Sequence, residues 1–184
     1  MTQIRVNIAA MQQMFHACTP DFIRDVCQAR CCRSTTDPTG IAVVVAPDEV
    51  ITLRARGATI DDDTRRIAPV ARRCFFQSPT THGCTLHETA EKPRGCIISP
   101  LTVNSNNTLI VRNRYRLLPC FKADGAQPVY VAHRASLVAL FGQAQADHLT
   151  AVASDPARLG DTIYIEAPDH LVAELQHKNR ASKS

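Results

Sequence analysis

Residues 74–96 read CFFQSPTTHGCTLHETAEKPRGC, and the organisation of the chain turns on what orders them. Turn-forming pairs interrupt this stretch and the residues just after it, at Ser78-Pro79, His82-Gly83, Lys92-Pro93 and Ser99-Pro100. A loop-rich segment of ~25 residues needs something other than a hydrophobic core to order it. Three cysteines, Cys74, Cys84 and Cys96, lie within it. The expected fold class is therefore α+β: a small irregular domain of short strands and helices, organised by cysteine and metal, over residues 1–125. A mainly helical extension with a basic tail is expected over residues 126–184.

On the N-terminal side, Thr19-Pro20-Asp21 combines a hydroxyl cap, Pro at the first helical position and an acid in the first turn. It predicts a helix from Pro20 to about Cys32, with Ile23, Val26, Cys27, Arg30 and Cys31 on or beside one face. An earlier helix is expected over Asn7 to Phe15. A turn at Thr36–Gly40 leads to Ile41–Val45, whose β-branched run predicts a buried strand. Pro47-Asp48-Glu49 opens a short helix that Gly57 closes. Asp61-Asp62-Asp63 reads either as an acidic helix start or as a solvated loop. On the C-terminal side, Thr108–Asn113 predicts a strand and Lys122–Gly125 a turn. Ala132 to about Val152 has helical periodicity, with Leu137, Leu140, Phe141, Ala144 and Leu149 as its apolar stripe and Gly142 as a flaw. Such a stripe is more often core than a partner-binding face. Ser154-Asp155-Pro156 ends it, Thr162–Ile165 is a candidate strand, and Pro168 to His177 a last helix.

The eight cysteines form two groups and a straggler: Cys18, Cys27, Cys31 and Cys32; then Cys74, Cys84 and Cys96; then Cys120. Cys27 and Cys31, four apart on the expected helix, would direct their sulfurs to one side and share a metal. Cys32 lies about 100° further round, so Cys31-Cys32 either ends the helix or serves two centres. Cys84 and His87 stand at C-x2-H spacing, close enough for one turn to deliver both to one ion. Zinc takes four such ligands in a tetrahedron, and iron–sulfur clusters usually take four cysteines. All eight cysteines are therefore candidate metal ligands, enough for two full sites or for one site plus structural thiols. Two other readings stand beside this one: small buried hydrophobes, or disulfides in a structural protein of the virion type.

Cys74-Phe75-Phe76, Gly83-Cys84-Thr85-Leu86-His87-Glu88 and Lys92-Pro93-Arg94-Gly95-Cys96 together resemble the second half of the YkgJ-like zinc- or iron-chelating domain family. Cys31-Cys32 looks like the end of that family's first cysteine cluster, and Ile41–Val45 with Pro47-Asp48-Glu49 like the strand and helix start between the halves. The likeness spans roughly residues 18–121. It implies metal chelation in a small α+β domain and supplies no reaction. The opening cluster here is looser than the family's, Ile97 stands where the family has Arg, and Cys96 to Cys120 is a long interval.

Composition sets the remaining bounds. With 45% hydrophobic and 21% charged residues the 184-residue chain is globular rather than disordered. Eight thiolates taken from the formal net charge of +4 leave −4, and two divalent zinc ions bring it back to neutral, so pI alone does not indicate a polyanion partner. The arginines crowding the cysteine region, Arg65, Arg66, Arg72, Arg73, Arg94, Arg112, Arg114 and Arg116, fit a solvated surface, charge compensation of thiolates, or phosphate binding. Six Phe, three Tyr and no Trp give little support for stacking on nucleic acid. The N-terminus lacks the pattern of a secretory signal, and no run is long enough to cross a membrane, so the expected compartment is the reducing cytoplasm. No H-E-x-x-H, phosphate-cradling loop or G-x-S-x-G singles out a catalytic residue. The leading expectation is a binding protein whose partner is zinc or an iron–sulfur cluster. An iron–sulfur redox or modifying enzyme is the alternative.

Overall fold

The computed structural model describes residues 1–33, 44–87 and 89–180. In chain order the elements are β1 (Thr2–Asn7), α1 (Ile8–Met11), β2 (Met14–Phe15), α2 (Pro20–Phe22), α3 (Val50–Ala55) and α4 (Arg94–Ile97). After them come β3 (Leu101–Val103), β4 (Thr108–Val111), β5 (Gln127–Pro128), α5 (Val129–Ala132), α6 (Arg134–Phe141), α7 (Gln143–Ala153), β6 (Thr162–Ala167) and α8 (Asp169–Arg180). The protein is α+β, and no helix among the described residues is long and apolar enough to cross a membrane. Two compact units result: Met1–Ala17 together with Ile97–Ser184, and Cys18–Cys96. The boundary drawn from the sequence at residue 125 falls inside the first of these.

In the first unit, strands are ordered β3-β4-β1-β6, with β1 parallel to β4, and antiparallel pairing of β1 with β6 and β3 with β4. Alternation makes this sheet two-faced. Ile4 and Val6 on β1 and Ile163, Ile165 and Ala167 on β6 are buried, while Gln3, Arg5, Tyr164 and Glu166 between them are exposed. Helices α6 and α7 pack against β6, and α8 against β3. Leu137, Leu140, Phe141 and Leu149 are buried as the stripe predicts, each worth ~1.5–3 kcal/mol when fully removed from water. Ala144 is instead exposed and Ala146 buried, because Gly142 at φ +81°, ψ 162° breaks the expected helix and resets its phase. The expected helix over Asn7 to Phe15 is likewise a single turn, α1, capped by the Asn7 carboxamide accepting from Ala9 N–H at 2.9 Å, then β2.

In the Cys18–Cys96 unit, Thr19 caps α2 as predicted, its hydroxyl accepting from Phe22 N–H at 3.4 Å. The predicted helix does not reach Cys32. It widens into a π turn over Ile23–Cys27 and stops where Gln28 and Ala29 adopt left-handed φ values of 49° and 45°. A 3₁₀ turn, Arg30–Cys32, follows. Pro47–Glu49 opens the next helix, and Gly57 at φ +91° follows its end, as expected. Asp61 accepts from Thr64 N–H at 2.7 Å, an Asx-type turn, so the acidic run is a loop and not a helix start. Of the predicted strand Ile41–Val45, residues 41–43 lie outside the described residues, and Val44 pairs with Arg66. Val45, Leu53, Ala58, Ile60, Ile67, Phe76 and Leu86 form the core, with Cys74, Cys84 and Cys96 packed at its edge.

Gly142 occupies a backbone region that L-residues essentially avoid, although no atom crowds its α-carbon. Gly142→Ala should therefore destabilise the protein by about 1–3 kcal/mol without any steric clash. Urea unfolding followed by helical circular dichroism measures this, and an unchanged midpoint would contradict it.

Candidate metal centre

Two cysteines open turns of the same design. At Cys74 the carbonyl accepts from Gln77 N–H at 2.9 Å while Phe76 N–H donates to the sulfur. At Cys84 the carbonyl accepts from His87 N–H at 3.1 Å while Leu86 N–H donates to the sulfur. The turns are joined through Thr85 N–H to the Phe76 carbonyl at 2.8 Å and the bridge between Gln77 and Cys84. Phe76 and Leu86 anchor them by pointing into the core. A backbone N–H directed at sulfur favours the thiolate, which is the ligating form.

The first cysteine group arrives at the same place by backbone pairing. Cys74 N–H donates to the Cys32 carbonyl at 2.7 Å, and Arg33 pairs with Arg73 beside it. The sulfurs of Cys31 and Cys32 are 3.8 Å apart. Two sulfurs about 2.3 Å from one tetrahedral zinc stand about 3.8 Å apart, so this pair already has the separation of two ligands on one ion. Cys32 is electrostatically coupled to Cys18, Cys74 and Cys84, and Cys18 to Cys27. Lys92 faces Cys18, Cys32 and Cys84 and partly offsets their mutual repulsion.

Burial pushes the thiols of Cys18 and Cys74 up to about 11, and raises that of Cys84 as well. Cys18 is exposed as a residue, although desolvation by the surrounding protein is the largest cause of its raised thiol. The hydrogen bond with Cys31, then burial, holds Cys32 well above the usual thiol range. None of the eight cysteines is joined to another in a disulfide.

Of the eight candidate ligands, Cys18, Cys27, Cys31, Cys32, Cys74 and Cys84 thus form one linked neighbourhood, and Cys96 packs on the core that seats Cys74 and Cys84. Cys120 belongs to the other unit, where its carbonyl accepts from His16 N–H at 2.8 Å. The helical argument for pairing Cys27 with Cys31 does not hold, because the left-handed pair Gln28-Ala29 separates them. His87 directs Nδ1 at Lys92 Nζ, 3.2 Å away. Among the described residues no three His, Cys, Asp or Glu side chains converge on a common point for an ion. Lys92, which the sequence places in a turn and in the Lys92–Cys96 motif, was not expected beside the thiols, and its signal was its place four residues before Cys96.

Comparison with protein-family models, with curated proteins and with solved structures found no match to this chain.

Because the shifts are upward, the protonated thiols are favoured in the folded protein and the thiolates gain ground only as pH rises through the raised values. In chelator-treated protein, alkylation of Cys74 by iodoacetamide should be half-maximal near pH 11, against 9.0 for an unperturbed thiol. Peptide mass spectrometry resolves the sites, and a midpoint near 9 would contradict the buried placement.

Proposed function

We propose that the Cys18–Cys96 unit is a metal-binding domain that holds zinc or an iron–sulfur cluster through its cysteines. What supports this most directly is the Cys31–Cys32 sulfur separation of 3.8 Å inside a neighbourhood shared with Cys18, Cys74 and Cys84. The paired turns at Cys74 and Cys84, each with an N–H aimed at sulfur, suit thiolate ligands of either metal. Ligation requires the sulfurs to turn toward a common ion, which the backbone pairing of Cys32 with Cys74 leaves within short reach. It also displaces several protons, so affinity falls as pH falls. Lys92 and the N–H donors offset part of the negative charge that four thiolates bring to the ion. Membership of the YkgJ-like chelating family, and residence in a reducing compartment that keeps the thiols free, belong to this proposal.

Metal content per chain after anaerobic purification tests it, read beside the visible spectrum. Zinc with no colour, or iron with matching sulfide and broad visible absorption, is the expected result. Cys32→Ser and Cys74→Ser should each lose most of the bound metal, whereas Cys120→Ser in the other unit should retain it. Structural zinc contributes ~10–16 kcal/mol of apparent binding energy at neutral pH, so chelation should also unfold the Cys18–Cys96 unit. A chain that purifies without metal, or that keeps its metal when Cys32 and Cys74 are both replaced, would sink the proposal.

A further inference from the structure

In the unit built from residues 1–17 and 97–184, the sheet has one face beneath α6 and α7 and another left partly open. On that second face the register places Arg5 beside Thr108, and Thr102 opposite Ile110. Thr102 is fully buried and α8 packs against its strand, but towards β1 and β6 the face is bare. There Gln3 and Arg5 on β1 and Tyr164 and Glu166 on β6 are exposed. A groove of about 450 Å³ runs over it, lined by Gln3, Arg5, Asn106, Asn107 and Tyr164.

Three of the lining residues, Tyr164, Arg5 and Asn106, are placed to meet a ligand. Tyr164 leaves 59% of its surface open, an unusual amount for an aromatic ring on a paired strand. It is the direct cross-strand partner of Arg5, which places the two β-carbons about 5 Å apart. Arg5 Nε donates to Thr108 Oγ1 at 3.2 Å, which orients the guanidinium, and no carboxylate pairs with it among the described residues. The wall is hydrogen-bonded: Asn104 Oδ1 accepts from Asn106 N–H at 2.9 Å and Thr108 N–H at 3.0 Å. Gln176 Nε2 reaches Asn107 Oδ1 at 2.6 Å and the Asn104 carbonyl at 3.1 Å. The Asn106 amide, with both a donor and an acceptor, remains available to a ligand. Glu166 lies opposite Gln3, so an anion is favoured at the Arg5 end.

An aromatic platform beside an oriented guanidinium, under an amide wall, matches a nucleobase carrying a phosphate. We propose that this groove binds single-stranded nucleic acid, with one base stacked on Tyr164, the neighbouring phosphate on Arg5 and the Asn106 amide at the base edge. Single strands fit because their bases are free to leave the stack and lie on a protein ring, which duplex bases are not. A free mononucleotide carries the same chemistry and is the other source of such a ligand. The proposal is independent of the cysteine unit and of its metal.

Fluorescence anisotropy of a labelled twelve-nucleotide single strand with the full-length chain tests it, at about 50 mM salt where phosphate contacts are strong. Binding of the strand, poor competition by duplex, and a roughly tenfold loss in Tyr164→Ala are expected. Tyr164→Phe keeps the ring and should bind within about twofold of the native chain. Arg5→Ala should lower the salt slope by about 0.7, the contribution of one phosphate on a single strand. Competition by adenosine monophosphate at matched site concentration would assign the groove to free nucleotides instead of strands. Both substituted side chains are exposed, and circular dichroism is the check that the variants fold. Binding of neither ligand, or equal binding by the native chain and Tyr164→Ala, would overturn the proposal.

Discussion

Between Cys32 and Cys74 the chain passes through a helix, a small core and several turns, then returns to within one backbone hydrogen bond of where it left. Cys74 N–H donates to the Cys32 carbonyl at 2.7 Å, and the Arg33–Arg73 bridge extends the contact. Closing a loop of this length costs about 3 kcal/mol of chain entropy, whereas one hydrogen bond contributes about 1 kcal/mol net. The pairing also sets two arginines side by side, which is unfavourable for like charges. It persists because Val45, Leu53 and Ile67, inside the loop it closes, pack with Phe76 and Leu86 from the segment that follows. Everything proposed for the cysteines depends on this closure, since it brings the group ending in Cys32 against the group beginning at Cys74.

The cysteine unit is strained as well as small. Six of the eight non-glycine residues with positive φ among the described residues lie in it: Gln28, Ala29, Arg65, Ala71, Arg72 and His82. Each such conformation costs roughly 1–2 kcal/mol. A core of seven buried residues has little to spare against that, which is why an additional ordering force belongs in the physical account. Glu49 supplies part of it. Its carboxylate accepts from Ala46 N–H at 2.9 Å and from Arg94 N–H at 2.8 Å, tying the helix start to the segment that carries Cys96. Arg94 pairs in addition with Asp48.

The other unit is stabilised by more familiar means. Ile4, Val6, Ile8, Leu101, Leu109, Leu137, Leu149 and Ile165 are almost wholly removed from water, and the sheet's buried face is continuous across four strands. Because β1 is an inner strand, its parallel neighbour β4 and antiparallel neighbour β6 are drawn from distant parts of the chain. The alternation that buries one face leaves the β1 and β6 part of the other to solvent, and there Arg5 meets Tyr164.

Sequence alone determined the features that act over a few residues. The Thr19-Pro20 cap, the helix opened by Pro47 and followed by Gly57, the strand at Thr108, the break at Ser154-Asp155-Pro156 and the α+β class all follow from local sterics and periodicity. The cysteines of the candidate centre were legible too, as residue types in a stretch with no core of its own. Tertiary structure decided the rest. TQIRVN is too short for its alternation to declare a strand until β4 and β6 pair with it from more than a hundred residues away. The helix starting at Pro20 stops at Cys27 because Gln28 and Ala29 turn left-handed, a conformation that no local propensity favours and that only the surrounding fold imposes. The placing of Lys92 among the thiols and of Tyr164 beside Arg5 also belongs to the fold, because both depend on contacts between residues that local sequence does not relate.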